Sequence, residues 1–190
     1  MQIKVSFPLK GSRQYVHGTS IFNAFVSAAK SAGQARGRID ISFKKIVPNP
    51  DCVMEVREVR PEDFSVAHVT GLDGSRTTFC ITPEESMGEV VRVEYDEDRV
   101  CAGSVIDGCS ISVKNPAHED EIELLVALCK KLHQAYFDTD KKWLFSRYVG
   151  RYPLELSSEV KLSIVRNVGT KLTCSDVLSE GEKVGEIFFS

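Results

Sequence analysis

Alternating apolar and polar residues predict β-strands along most of the chain. This period of two, typical of strands with one buried face, occurs over residues 2–8, 39–43, 53–59, 64–70, 77–82, 90–95, 100–113, 160–164, 170–177 and 184–189. Tight turns are predicted at Asp73-Gly74 and Asp107-Gly108, since both dipeptides favour hairpins. Four strands in a row between residues 39 and 82 favour an antiparallel meander.

Two segments have the helical period instead. The first is predicted to begin with Thr19 or Ser20 as N-cap and to end at Gly33. Its apolar face consists of Phe22, Phe25, Val26 and Ala29. Such a one-sided stripe predicts a short helix packed on a sheet.

The second helix is predicted from Asp120, as N-cap, to about Phe137. Glu123 follows Asp120 by three residues, which is the spacing of a capping box. The apolar face of this helix is formed by Ile122, Leu125, Leu128, Cys129, Leu132 and Tyr136. His133 lies near the C-terminal end, where the helix dipole favours a cation, and we interpret it as a surface residue.

Residues 138–158 combine the aromatic side chains of Trp143, Tyr148 and Tyr152 with basic residues. We predict a long loop whose aromatic rings cover the edge of the core while the cations stay in water. Two alternatives are a lid over a pocket and a surface that stacks nucleobases.

Composition narrows the class of protein. A net charge of −3 with dispersed Lys and Arg argues against nucleic-acid binding. No apolar run approaches the roughly 20 residues needed to cross a membrane, and the N-terminus lacks the pattern of a secretory signal. Six scattered cysteines without a C-x-x-C pair predict buried, reduced thiols and no metal site. A cytoplasmic protein is expected.

The candidate functional site is the segment that leads into the first helix. His17 precedes the helix start, where free backbone N–H groups can stabilise a developing oxyanion. The ring could act as a general base or could orient a bound carbonyl group. We name His17 and Asn23 as candidate catalytic residues and Tyr15, Gly18 and Thr19 as candidate substrate-binding residues.

The pattern of strands, helix, loop and further strands occurs twice. The break at residues 83–88 divides the chain into units 1–88 and 89–190. One helix followed by several strands resembles the hotdog fold, in which an antiparallel sheet wraps a helix. The chain therefore resembles a double hotdog, a fold of the α+β class.

The hotdog resemblance implies a function. Members of this superfamily include thioesterases and hydroxyacyl-thioester dehydratases, and many carry a histidine or an acid where the segment 15–18 stands here. The implied ligand is an acyl thioester of coenzyme A or acyl carrier protein, bound without a cofactor. A homo-oligomer is compatible with this prediction.

Two alternatives from other classes stay open at the level of sequence. One is a noncatalytic interaction or scaffold protein of the same fold. The other is a tandem ferredoxin-like module that binds RNA through the stretch from Trp143 to Tyr152.

Overall fold

The chain divides into two compact units. A computed structural model describes residues 2–85, 90–116, 120–137 and 141–190. The first unit is Met1–Tyr95 and the second is Asp96–Ser190. The predicted boundary at residue 88 lies outside the described residues. Each unit combines a long helix with an antiparallel sheet, so the α+β class is confirmed.

The elements follow the predicted order of strands, helix and further strands in each unit. In the first unit they are β1 Gln2–Ser6, β2 Leu9–Lys10, α1 Gly18–Ser31, β3 Gly37–Phe43, β4 Asp51–Val56, β5 Ser65–Gly71, β6 Arg76–Pro83 and β7 Arg92–Val93. In the second they are α2 Glu97–Val100, β8 Val105–Asp107, β9 Ser110–Lys114, α3 Glu121–Tyr136, β10 Phe145–Tyr152, β11 Glu159–Val168, β12 Leu172–Ser179 and β13 Glu182–Phe189.

The sheet of the first unit is not the predicted meander. Its order is β1-β4-β6-β5-β3, with antiparallel pairing throughout. Among the described strands of this sheet, only β5 and β6, joined by the predicted turn at Asp73-Gly74, are both consecutive and paired. Strand β6 lies between β4 and β5, so the meander prediction is wrong for this unit. Sequence alternation identifies strands but carries no information about their partners.

The connection 57–64 therefore crosses β6. It passes over Cys80, whose Sγ lies 3.9 Å from the carbonyl oxygen of Arg57. Asp63 holds this crossing in place, because its fully buried carboxylate accepts two hydrogen bonds from Arg57, at 2.6 and 3.1 Å. It also accepts one from the backbone N–H of Arg60, at 2.6 Å.

The sheet of the second unit has the order β8-β9-β11-β12-β13-β10. Strands β11, β12 and β13 pair consecutively, as hairpins do. The predicted turn at Asp107-Gly108 joins β8 to β9. In both units four strands of the sheet follow the long helix, but their order differs: it is β4-β6-β5-β3 in the first unit and β11-β12-β13-β10 in the second.

Both long helices bury the predicted faces. In α1, the exposed fractions of the four stripe residues are 9% or less, and Phe25 has none. The N-cap of α1 is His17, not Thr19 or Ser20 as predicted. In α3, Asp120 caps the helix as predicted by accepting from the N–H of Glu123 at 3.2 Å. Its apolar face ends before Tyr136, which is 45% exposed.

The predicted long loop at 138–158 contains a strand, β10, and residues 138–140 lie outside the described part. Every second residue of this strand is buried, namely Tyr148, Gly150 and Tyr152. Because these inward residues are two tyrosines and a glycine, the sequence does not show the usual alternation of aliphatic and polar residues. Trp143 is 5% exposed. Since these rings are buried, they offer no surface for stacking nucleobases.

Two glycines that lie opposite each other on neighbouring strands make room for the Tyr148 side chain. Gly150 on β10 lies opposite Gly185 on β13. A Cβ at Gly150 would lie 2.3 Å from the Tyr148 hydroxyl and 2.6 Å from the carbonyl oxygen of Val184. We expect Gly150→Ala to lower the free energy of unfolding by about 1–3 kcal/mol, because the overpacked strand must shift. Urea titration measures this change, with the exposed substitution Arg147→Ala as control; equal midpoints for the two variants would contradict the packing described.

Candidate functional site

A small parallel pair of strands positions the segment before α1. Strand β2 pairs with β7, with Leu9 opposite Arg92. The guanidinium of Arg92 donates to the carbonyl oxygens of Gly11 and Arg13, both at 3.0 Å, and to Oε1 of Gln14 at 3.2 Å. Because one side chain holds three groups of the loop, the path of the chain into α1 is fixed.

His17 is the N-cap of α1 and is buried, with 5% of its surface exposed. Its Nδ1 lies 2.8 Å from the Thr19 hydroxyl. Its ring packs at 5.3 Å, centroid to centroid, from the ring of Tyr95. The side chain makes no capping bond to the helix. The first N–H groups of a helix have no intrahelical acceptor, so they can serve an incoming oxygen atom.

Two cations lie beside the start of α1. Lys10 is 7% exposed, and its Nζ donates to the Thr19 hydroxyl at 3.0 Å. Lys10 Nζ and Arg13 Cζ lie 5.4 and 4.9 Å from the centroid of the Tyr95 ring. The first turn of α1 contains no acidic residue. The positive end of the helix dipole and these cations together favour an electronegative ligand atom here.

The start of α3 is surrounded by carboxylates, whereas that of α1 is flanked by cations. Its first turn contains Glu121 and Glu123, and the Asp120 carboxylate caps it. The Glu121 carboxylate accepts from the backbone N–H of Glu155 at 3.0 Å and also from that of Leu156. Carboxylates of the protein itself therefore occupy this helix end, which disfavours a further anion or carbonyl oxygen.

The structure brings three of the five predicted site residues together. His17, Gly18 and Thr19 are consecutive at the start of α1. Tyr15 is half-buried, two residues before His17. Asn23 is exposed on α1 and lies about 9 Å further along the helix axis, at 1.5 Å per residue.

Sequence reasoning missed Lys10 and Tyr95 as members of this site. Lys10 follows the alternating residues 2–8 and lies in the two-residue strand β2, where it is buried. Tyr95 reaches His17 only through the pairing of β2 with β7, across about 80 residues of sequence. No local pattern signals such a contact.

A second histidine cluster lies in the core of the second unit. The surface position predicted for His133 is wrong, because none of its surface is exposed. Its Nδ1 lies 2.6 Å from the carbonyl oxygen of Cys129, and its Nε2 lies 2.6 Å from the Thr173 hydroxyl. The ring stacks on Phe189 and packs 4.6 Å from Trp143. With both nitrogen atoms bonded inside the core, this histidine has a structural role.

Burial of His133 makes stability depend on pH. Desolvation lowers the pKa of His133 from its ordinary 6.5; the bond to the Cys129 carbonyl raises it and the Lys141 ammonium lowers it. The unfolded chain therefore binds this proton at a higher pH than the folded chain. We expect the contribution of His133 to be complete above pH 6.5 and to be lost as the pH falls towards the folded-state pKa.

Urea midpoints between pH 7.5 and 5 test this expectation. The wild type should lose more stability over this interval than His133→Gln, which cannot bind the proton. Identical pH slopes for the two proteins would contradict it.

An open groove of about 820 Å³ lies elsewhere in the first unit, along β1. Lys4, Asp51, Cys52 and Glu84 are among the residues that line it. Burial, followed by the nearby Asp51 and Glu84 carboxylates, raises the pKa of the Cys52 thiol to about 12. The thiol therefore stays protonated and is a poor nucleophile, so the start of α1 is the better candidate site.

Residues 2–85, 90–116, 120–137 and 141–190 contain neither a metal-binding cluster nor a membrane-spanning helix. No group of three or more His, Cys, Asp or Glu side chains there is arranged to hold a metal ion. Among the same residues, no helix has both the length and the apolar character that a membrane crossing requires.

No protein-family model matches the sequence, and neither does any curated protein. Solved structures do match. A candidate thioesterase II from Thermobifida fusca aligns with a TM-score of 0.56 at 9% identity, over 99% of this chain and 91% of that one. The pyran synthase domain from module nine of the sorangicin pathway aligns with a TM-score of 0.52 at 9% identity, over 99% and 91%. The 12:0-ACP thioesterase from Umbellularia californica gives 0.51 at 10% identity, over 100% and 96%.

At 9–10% identity these likenesses concern the fold alone. They extend over nearly the whole chain, both units included. The resemblance predicted from the sequence is confirmed at this level: the chain has the architecture of hotdog-fold proteins.

Proposed function

We propose that this protein binds acyl thioesters of coenzyme A or of acyl carrier protein. The thioester carbonyl would lie at the start of α1, against the N–H groups of Gly18 and Thr19 and beside the ring of His17. The observation that carries the proposal is the contrast between the two helix starts. That of α1 is flanked by cations and lacks a side-chain capping bond, whereas that of α3 is occupied by carboxylates.

The fold supports the same ligand class, because two of the three aligned proteins are named as thioesterases. A thioester carbonyl gains negative charge when a nucleophile attacks it. The helix N-terminus and the Lys10 ammonium would stabilise that charge by electrostatic preorganisation. In hydrolysis water attacks this carbonyl, and in a hydroxyacyl dehydration a proton leaves the carbon next to it. Both reactions place negative charge on the carbonyl oxygen, so the same bound geometry suits either.

A panel of acyl-coenzyme A esters, from acetyl to lauroyl, together with 3-hydroxyacyl esters as substrates for dehydration, tests the proposal. Release of free thiol reports hydrolysis, loss or gain of enoyl absorbance reports dehydration, and the melting temperature reports binding. We expect at least one ester to raise the melting temperature, because a ligand that binds the folded state stabilises it. Binding without turnover would support the noncatalytic alternative.

Gly18→Val probes the position of the ligand. Gly18 is half-buried in the first turn of α1, and a branched side chain there would fill the space next to the first N–H groups. We expect this variant to stay folded and to lose the thermal shift. A Gly18→Val protein that binds the ester as well as the wild type does would place the carbonyl elsewhere.

A further inference from the structure

The Thr19 hydroxyl connects Lys10 to His17. Thr19 has no exposed surface. Its Oγ1 lies 3.0 Å from Lys10 Nζ and 2.8 Å from His17 Nδ1. Within the described part of the chain these two atoms are the partners of the hydroxyl group, so the direction of each hydrogen bond can be worked out.

The direction follows from counting protons. A lysine ammonium can only donate, so the Thr19 oxygen accepts from Lys10. The hydroxyl has one proton of its own, and leaving a buried donor unsatisfied costs about 1–3 kcal/mol. That proton can be satisfied only by His17 Nδ1, which must then present its lone pair. In the neutral ring the proton of His17 therefore resides on Nε2.

We infer that Lys10 and Thr19 fix neutral His17 in the tautomer that carries its proton on Nε2. This inference rests on the proposed function for its catalytic meaning. At a thioester site, Nε2–H can donate a hydrogen bond to the carbonyl oxygen but cannot remove a proton from a nucleophile. His17 is then the group that polarises the carbonyl, and Lys10 and Thr19 are positioning residues. The sequence left two roles open for His17, a general base and a group that orients the carbonyl. With its proton on Nε2, the neutral ring cannot act as a general base through that nitrogen.

His133 provides an internal reference with the opposite tautomer. The carbonyl oxygen of Cys129 can only accept, so the proton of His133 lies on Nδ1. Its bare Nε2 then faces the Thr173 hydroxyl at 2.6 Å, a shorter contact than the 3.4 Å from that hydroxyl to the carbonyl oxygen of Phe189, so the hydroxyl proton is assigned to Nε2. The hydrogen bond at one ring nitrogen determines the state of the other in both cases. One spectrum of one protein should therefore show both tautomers.

The test is long-range proton–nitrogen NMR of the full chain labelled with ¹⁵N-histidine, recorded without ligand at pH 8. A bare ring nitrogen resonates far downfield of a protonated one, so each tautomer is read directly. We expect a bare Nδ1 for His17 and a bare Nε2 for His133. A protonated Nδ1 on His17 overturns the inference.

Two variants of Thr19 separate the tautomer effect from a loss of folding. Thr19→Val keeps the shape and removes the hydroxyl, so the two nitrogen signals of His17 should move towards averaged positions. Thr19→Ser keeps the hydroxyl and should retain the wild-type pattern. The signals of His68, which lies on β5 of the same unit, report whether each variant is folded. If His17 keeps a bare Nδ1 in Thr19→Val, the Lys10–Thr19 pair does not fix the tautomer and the inference is wrong.

Activity distinguishes this inference from the proposed function. If an ester is turned over, Thr19→Val should lower kcat on the order of 10- to 100-fold, as losing a residue that orients a functional histidine does elsewhere, and Thr19→Ser should restore it. A kcat unchanged by Thr19→Val would contradict the positioning role. If no ester of the panel is bound or turned over, the proposed function is wrong. The NMR experiment still decides the tautomer, because it is recorded without ligand.

Discussion

Replacing His17 by alanine should lower the turnover of acyl thioesters by roughly 10²–10³-fold, the usual cost of removing one donor from an oxyanion site. The ring lies at the N-cap of α1 and is held by Thr19 and Tyr95. Its loss removes a hydrogen bond that strengthens as the carbonyl oxygen gains charge, so kcat should fall more than the binding of the ester. The measurement is kcat and KM with the best ester of the panel.

His68→Ala is the matched control. His68 is an exposed histidine on β5 whose Nδ1 contacts the Thr78 hydroxyl at 3.0 Å. We expect wild-type kinetics from this variant. Equal turnover by His17→Ala and His68→Ala would show that the chemistry does not use His17.

Replacing Asp63 by alanine should lower the free energy of unfolding by about 3–5 kcal/mol, because it removes the fully buried, bidentate partner of Arg57. The remaining acceptors of this guanidinium are the Glu55 carboxylate at 2.9 Å and the carbonyl oxygen of Glu58 at 3.0 Å. The carboxylate has no exposed surface, and the Arg57 side chain that it binds is 13% exposed. Burial raises the pKa of Asp63, but the hydrogen bonds from Arg57 and Arg60 outweigh it, and the net pKa is lowered. Loss of the carboxylate releases the connection that crosses β6. Urea unfolding at pH 7 measures the change.

Glu62→Ala is the control for this prediction. Glu62 is the neighbouring acid, and it pairs with Arg60 at 3.9 Å with more than half of both side chains exposed. Exposed pairs contribute about 0–1 kcal/mol. A cost for Asp63→Ala no larger than that for Glu62→Ala would mean that the crossing connection does not depend on the buried pair.

Local chemistry explains which parts of the fold the sequence predicted. Helix α3 was predicted within a residue or two, because an apolar face, the Asp120 cap and the capping-box spacing all lie within one segment. The turn at Asp107-Gly108 was predicted for the same reason, since its geometry depends on its own two residues. These features need no information from distant parts of the chain.

Non-local pairing explains what was missed. Strand β10 alternates, but its inward positions include Gly150, whose role is to make room for Tyr148. The connection that crosses β6 contains a buried Arg57–Asp63 pair, which the sequence alone presents as two ordinary charged residues. His133 appears suited to a helix end in water until β12 and β13 bring Thr173 and Phe189 against it.

The same limit applies to the candidate site. His17 and Gly18 could be named because a helix start is a local feature. Lys10 and Tyr95 could not, because the pairing of β2 with β7 brings them there. The charge of the site, which distinguishes α1 from α3, therefore became visible only with the structure.

The most direct test of the account is to observe which helix start meets the ligand. The amide spectrum of ¹⁵N-labelled protein should be followed during titration with an acyl-coenzyme A analogue in which a methylene group replaces the thioester sulfur. Such a ketone keeps the carbonyl and cannot be hydrolysed. The account predicts that the largest shifts fall on the amides of Gly18, Thr19 and Ser20, with little change at Glu121 and Ile122. Shifts centred on the start of α3 or on the groove along β1, or no shifts at all, would contradict it.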